Sequence, residues 1–156
     1  VLSDPRFLNA VFSAIEAAAR VGRGEKRAAL RNAVLNSVRP GSPAADLQQV
    51  FIRYVDELQP SHLRLLKLIA EGVAQQGPNV YASTENTRRL HQVLQERDPE
   101  LLSSGLLGLC CEDLASRGLI RRSSGNRDGW AQLTMLQMSA DGFGQMFLKF
   151  ISEPAQ

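Results

Sequence analysis

The chain has 156 residues, 44% of them hydrophobic, 22% charged and 6% aromatic, with a formal net charge of +2. At this length a chain buries roughly two-thirds of its unfolded surface, enough for one substantial core or two small ones, and the apolar content excludes wholesale disorder. The Gly and Pro counts, 12 and 7, exclude collagen-like and low-complexity classes; no apolar run reaches the roughly 20 residues of a membrane span; and so small a charge confines any nucleic-acid role to a local patch.

Taken in chain order, Ser3-Asp4-Pro5 reads as a helix start, a capping side chain followed by Pro in the first turn. Phe7, Leu8, Val11, Phe12 and Ile15 then form one apolar helical face, expected to be buried. Gly22 and Gly24 punctuate the end of this helix. A second helix is expected from about Glu25 to Val38, with Leu30, Val34 and Leu35 inward and Pro40-Gly41 stopping it. Ser42-Pro43 opens a third, with Leu47, Val50, Phe51, Tyr54, Val55 and Leu58 on one stripe. These three make a small N-terminal bundle over residues 1–58.

Residues 59–156 have a different rhythm. Gln59-Pro60-Ser61 opens a helix through Leu63, Leu65, Leu66, Leu68 and Ile69, closed by Gly72, and residues 73–84 are loop-like. Another helix follows from about Glu85 to Arg97. Asp98-Pro99 then starts a long helix through Leu101, Leu106, Cys110 and Leu114, ended by Gly118 as a C-cap. Leu119 to Arg122 and Ala131 to Met138 are two strand candidates around a polar turn, which together make a small β-hairpin. Ser139 caps a final helix carrying Phe143, Met146, Phe147, Phe150 and Ile151. The expected fold class is mostly α: an N-terminal helical bundle, then a helical domain with one small hairpin.

Leu114-Ala115-Ser116-Arg117-Gly118-Leu119-Ile120, where a helix ends at Gly and a strand begins, resembles the corresponding stretch of winged helix-turn-helix domains. Leu133-Thr134 followed by a Gly-containing helix start resembles the second-strand end of the same family, and the likeness covers roughly residues 60–151. It implies a winged-helix fold. Glu25-Lys26-Arg27, Leu30-Arg31-Asn32 and Gln59 to Leu66 resemble uncharacterised bacterial Abi-alpha-like (abortive infection) proteins, which implies a bacterial, defence-linked setting. Neither resemblance supplies a catalytic residue.

In DNA-binding winged helices the third helix enters the major groove with polar and basic side chains. Here the segment from Pro99 to Ser116 holds no Lys or Arg but carries Glu100, Glu112 and Asp113, which opposes base readout. The wing points the other way. Arg117, Arg121, Arg122 and Arg127 lie close together with Trp130 just beyond, a set able to grip phosphates and stack on a base. The same residues also suit a solvated hairpin with Trp130 packed beneath it. A second basic cluster is Arg20, Arg23, Lys26, Arg27 and Arg31, which reads either as a solvated helix face or as a contact for an acidic partner or nucleic acid.

No metal site is expected, since His62 and His91 stand alone and Cys110 and Cys111 are the only cysteines. Adjacent cysteines rarely bridge, so a reducing, cytoplasmic setting is expected. The first residues show neither the basic nor the apolar region of a signal peptide. Gly22-x-Gly24 and Gly142-x-Gly144 do not complete a dinucleotide fingerprint, so no catalytic residue and no cofactor is assigned. The function expected is therefore a non-enzymatic interaction or scaffold module that contacts a protein partner or itself. The alternative is a DNA-binding regulator using the arginine-rich wing.

Overall fold

The computed structural model describes residues 5–20, 24–76, 84–103, 105–122, 136–138 and 142–154. Over these the chain is mostly helical: α1 (Pro5–Arg20), α2 (Gly24–Ser37), α3 (Ala45–Glu57), α4 (Pro60–Gln76), α5 (Thr84–Arg97), α6 (Pro99–Ser103), α7 (Leu106–Ser116), β1 (Ile120–Arg122), β2 (Leu136–Met138) and α8 (Phe143–Ile151). Two compact units are formed, residues 1–60 with 146–156, and residues 61–145.

In the first unit α1 packs on α2 and α3 through alanines. Ala10, Ala14 and Ala17 recur at steps of four and three and are all buried, so they lie on one side of the helix. Phe51 of α3 is the centre of the aromatic core. Its ring meets Phe147 edge-on at 5.3 Å and Phe150 at 5.7 Å, while Tyr54 meets Phe147 at 6.1 Å. The end of α8 is held by two asparagines one turn apart on α2. Asn36 Nδ2 donates to the carbonyls of Phe150 and Ser152 at 2.9 Å, and Asn32 Nδ2 to that of Ile151 at 3.2 Å. A helix leaves its last four carbonyls without intrahelical partners, and these amides supply donors for them. The expected boundary after residue 58 attached all of 59–156 to one domain. The phenylalanines and these carbonyls instead draw residues 146–156 into the first unit.

The turn between α2 and α3 is tied by side chains. Gln48 Nε2, almost fully buried, donates to the Ser37 carbonyl at 3.0 Å and the Pro43 carbonyl at 2.9 Å. Ser42 does not cap α3, whose N-cap position is Ala44. Its hydroxyl turns back to donate to the carbonyls of Asn36 and Arg39.

The second unit buries Leu63, Leu65, Leu66 and Ile69 of α4, with Leu94, Leu101, Cys110, Leu114, Leu119 and Ile120. Gly72 does not close α4, which continues to Gln76; one Gly costs a helix only about 1 kcal/mol, and the helix before it is anchored by the buried Leu63, Leu65, Leu66 and Ile69. The long helix expected after Asp98 is two helices. Gly105 sits at φ 67°, the left-handed region glycine favours, and separates α6 from α7. Asp98 is buried and receives the Arg64 guanidinium at the start of α6. The end of α7 is as expected. Gly118 takes φ 71°, its N–H donates to the Ala115 carbonyl, and Leu119 N–H donates to that of Leu114 at 3.0 Å. That pair of bonds is a Schellman cap. Directly after it β1 pairs antiparallel with β2, Ile120 opposite Met138 and Arg122 opposite Leu136.

Candidate interaction surfaces

The two faces of α1 are reversed relative to expectation. Its inward face is the alanine row, Phe7 and Val11 are half-buried, and Leu8, Phe12 and Ile15 point outward. Phe12 is 65% exposed, Ile15 60% and Leu8 40%, with Ala19 also exposed. Residues 8, 12, 15 and 19 recur at steps of four, three and four, which places them along one line on the helix surface. Alanine-to-helix contact lets neighbours approach closely because interaxial distance follows side-chain size. The small face therefore goes inward and the large one remains outside. Contiguous apolar surface on a helix, unlike a single exposed Leu, marks a contact site.

The basic residues singled out from the sequence fall in both units. Among the described residues α1 ends at Arg20 and α2 starts at Gly24, so Lys26, Arg27 and Arg31 belong to α2. Arg20 is the last residue of α1, and Arg23 lies outside the described residues. Lys26 is withdrawn from the surface. It is buried, and its Nζ donates to the Asp56 carbonyl at 2.6 Å; burial lowers its pKa while the nearby Asp56 charge opposes that shift. Arg27 and Arg31 are exposed one turn apart on α2. Arg117 is half-buried at the C-cap of α7, Arg121 is exposed on β1, and Arg122 pairs with Leu136 in the ladder. Arg127 and Trp130 lie outside the described residues.

Among the described residues of the second unit, buried polar groups join one helix to another. His62 is buried with its Nε2 3.2 Å from Asp113 Oδ2, joining α4 to α7. Both cysteines are buried. Cys110 Sγ lies 3.7 Å from Ser61 Oγ, and burial raises its thiol pKa, an effect the Ser61 hydrogen bond partly offsets. A buried thiol of raised pKa is a poor nucleophile. Among the described residues no group of three or more His, Cys, Asp or Glu could hold a metal ion, and no helix is long and apolar enough to cross a membrane. An open groove of about 300 Å³ beside α1 is lined by Ser13, Glu16, Gln49, Arg53 and Asp56. Ser13 donates to Gln49 across it, and neither His nor Cys faces it.

The outward face of α1 was hidden in the sequence because its five large apolar residues match a buried stripe. The signal that could have exposed it is the second row, Ala10, Ala14 and Ala17, at the same period on the opposite side. No protein-family model, curated protein or solved structure matches this chain.

Proposed function

We propose that the chain is a non-enzymatic interaction module that associates with a second copy of itself through the outward face of α1. The observation that carries this reading is the exposed row of Leu8, Phe12, Ile15 and Ala19. Steps of four and three are the spacing of a two-helix seam, and an identical helix supplies the same seam about a two-fold axis. The second unit serves as a winged-helix-like scaffold. In support of that reading stand the order α4, α5, α6, α7, β1, β2 and the glycine-capped passage from α7 into β1. The bacterial, defence-linked setting rests on the sequence resemblance alone.

Sedimentation velocity over a concentration series tests the reading. At ~300 mM NaCl, which screens contacts between exposed charges, the wild-type chain is expected to shift from monomer to dimer as its concentration rises. At the same salt Phe12→Glu is expected to stay monomeric with an unchanged helical spectrum. A wild-type chain that remains monomeric throughout would overturn the proposal.

A second reading, a DNA-binding regulator that grips phosphates through the wing, draws support from the exposure of Arg121. Against it stands the outward face of α7, which carries Glu112 and Asp113 where a recognition helix needs cations. Titration of duplex DNA at ~50 and ~200 mM salt separates the two, since phosphate contacts give a steep salt slope. Binding lost on Arg121→Ala with Arg122→Ala would favour the regulator.

A further inference from the structure

The outward row of α1, Leu8, Phe12, Ile15 and Ala19, is bordered differently on its two sides. At about 100° per residue, Asn9 and Glu16 lie about 70–90° from the centre of the row on one side. Both are exposed, and both line an open groove with Gln49 of α3. Val11 and Ala18 lie about 70–90° from the centre on the other side, and both are half-buried. One border of the row is therefore polar and the other apolar. Two copies of such a face meet about a two-fold axis of one of two kinds. An axis along the helices leaves them parallel, and an axis across them makes them antiparallel.

We propose that the contact between copies is antiparallel, with Leu8 of one copy against Ala19 of the other and Phe12 against Ile15. This inference rests on the α1 seam proposed above and fixes its direction. An axis across the helices brings like border to like border. In that register Asn9 of one copy and Glu16 of the other stand about 3 Å apart along the axis. The Asn9 amide then donates to the Glu16 carboxylate in a charge-assisted hydrogen bond, and the two-fold repeats the pair. On the apolar border Val11 meets Ala18 at the same offset. The parallel arrangement instead sets Asn9 against Val11 and Glu16 against Ala18. No donor answers the carboxylate there, and desolvating an unpaired charge is costly. Side-chain size agrees. Antiparallel layers pair Leu with Ala and Phe with Ile, whereas parallel layers stack Phe on Phe and Ala on Ala, and uneven layers leave voids that close packing excludes.

Methyl NMR at ~1 mM, where a weak dimer is populated, reads the direction. Leu8 and Ala19 are about 16 Å apart along one helix, so a nuclear Overhauser effect between their methyl groups arises only across an antiparallel contact. The expected result is that effect in the wild-type chain and its loss in Phe12→Glu, which removes the seam. A charge change gives a second readout, by sedimentation at ~50 mM NaCl, where exposed charges still attract. Asn9→Lys brings a cation to Glu16 of the other copy twice per dimer, and is expected to tighten association about two- to tenfold. On a Glu16→Gln background the same substitution is expected to give no tightening, because only the added net charge remains. Circular dichroism checks that the surface variants stay folded. A dimer without the Leu8–Ala19 effect, or one in which Asn9→Lys acts equally with and without Glu16→Gln, would overturn the antiparallel direction and leave the α1 seam standing. A chain monomeric at ~1 mM would overturn the seam and the direction with it, leaving the row to a partner of different sequence.

Discussion

Helices α1 and α8 both carry large apolar side chains at helical spacing, and they use them in opposite ways. In α8, Phe147 and Phe150 are buried against Phe51. In α1, Phe12 and Ile15 face out and alanines face in. The difference lies in what each helix carries on its other side. Opposite the α8 phenylalanines are Gln145 and Lys149, both exposed, so only one face can be buried. Opposite Phe12 is a row of alanines, so α1 carries two apolar faces with Asn9, Ser13 and Glu16 between them on one side, and its neighbours select which apolar face goes inward. Apolar side chains inside is a one-way rule.

The comparison makes its largest prediction on stability. Phe147→Ala is expected to destabilise the first unit by about 3–5 kcal/mol, the range for a buried aromatic, whereas Phe12→Ala shifts it by less than about 0.5 kcal/mol, as for ordinary surface positions. Urea unfolding of both variants checks this. Equal losses would mean that Phe12 is a core residue. The converse substitution acts on the inward row. Ala14→Leu is expected to cost about 1–3 kcal/mol by overpacking, while Ala19→Leu on the outward row is close to neutral, a contrast that thermal melting resolves.

A smaller effect is expected at the α8 terminus. Asn36→Ala removes the amide that bonds the last carbonyls of α8, at about 1–2 kcal/mol for polar groups left short of partners. Hydrogen exchange is expected to quicken most in the last turns of α8.

The smallest effect is on pH dependence. Burial holds the Cys110 thiol above its ordinary value of 9.0, so the unfolded chain ionises this thiol first. The thiol's contribution to stability is therefore complete below the unfolded value and is lost as pH rises through the raised one. Cys110→Ala is expected to flatten that alkaline decline relative to wild type, as followed by urea unfolding at pH 7 and pH 10. An unchanged decline would place its cause in other groups.

Much of the architecture was legible in local chemistry. Pro5, the Pro40-Gly41 stop, Asp98-Pro99 and Gly118 mark helix ends through backbone geometry, which acts within a few residues and leaves a signature in the sequence. Gly105 was the exception. Three glycines lie near the α6–α7 segment, at 105, 108 and 118, and only tertiary packing decides that the one at 105 breaks a helix while the one at 108 sits inside one. The assignment of residues 146–156 to the first unit was equally unreadable. It depends on Asn32 and Asn36 meeting carbonyls more than a hundred residues away, with no local trace. Of the basic residues, Lys26 could not be told from its exposed neighbours Arg27 and Arg31 until α3 brought the Asp56 carbonyl to it. The outward face of α1 runs against the sequence expectation because hydrophobic size alone does not measure burial.

The central claim, that the outward row of α1 is a contact surface between copies, is tested most directly by methyl NMR on a dilution series. Between ~10 μM and ~1 mM, the span over which a weak dimer forms, the methyl signals of Leu8 and Ile15 are predicted to move together, while those of buried Leu30 and Ile52 stay fixed. Leu8 and Ile15 signals that hold their positions across the series would contradict the account.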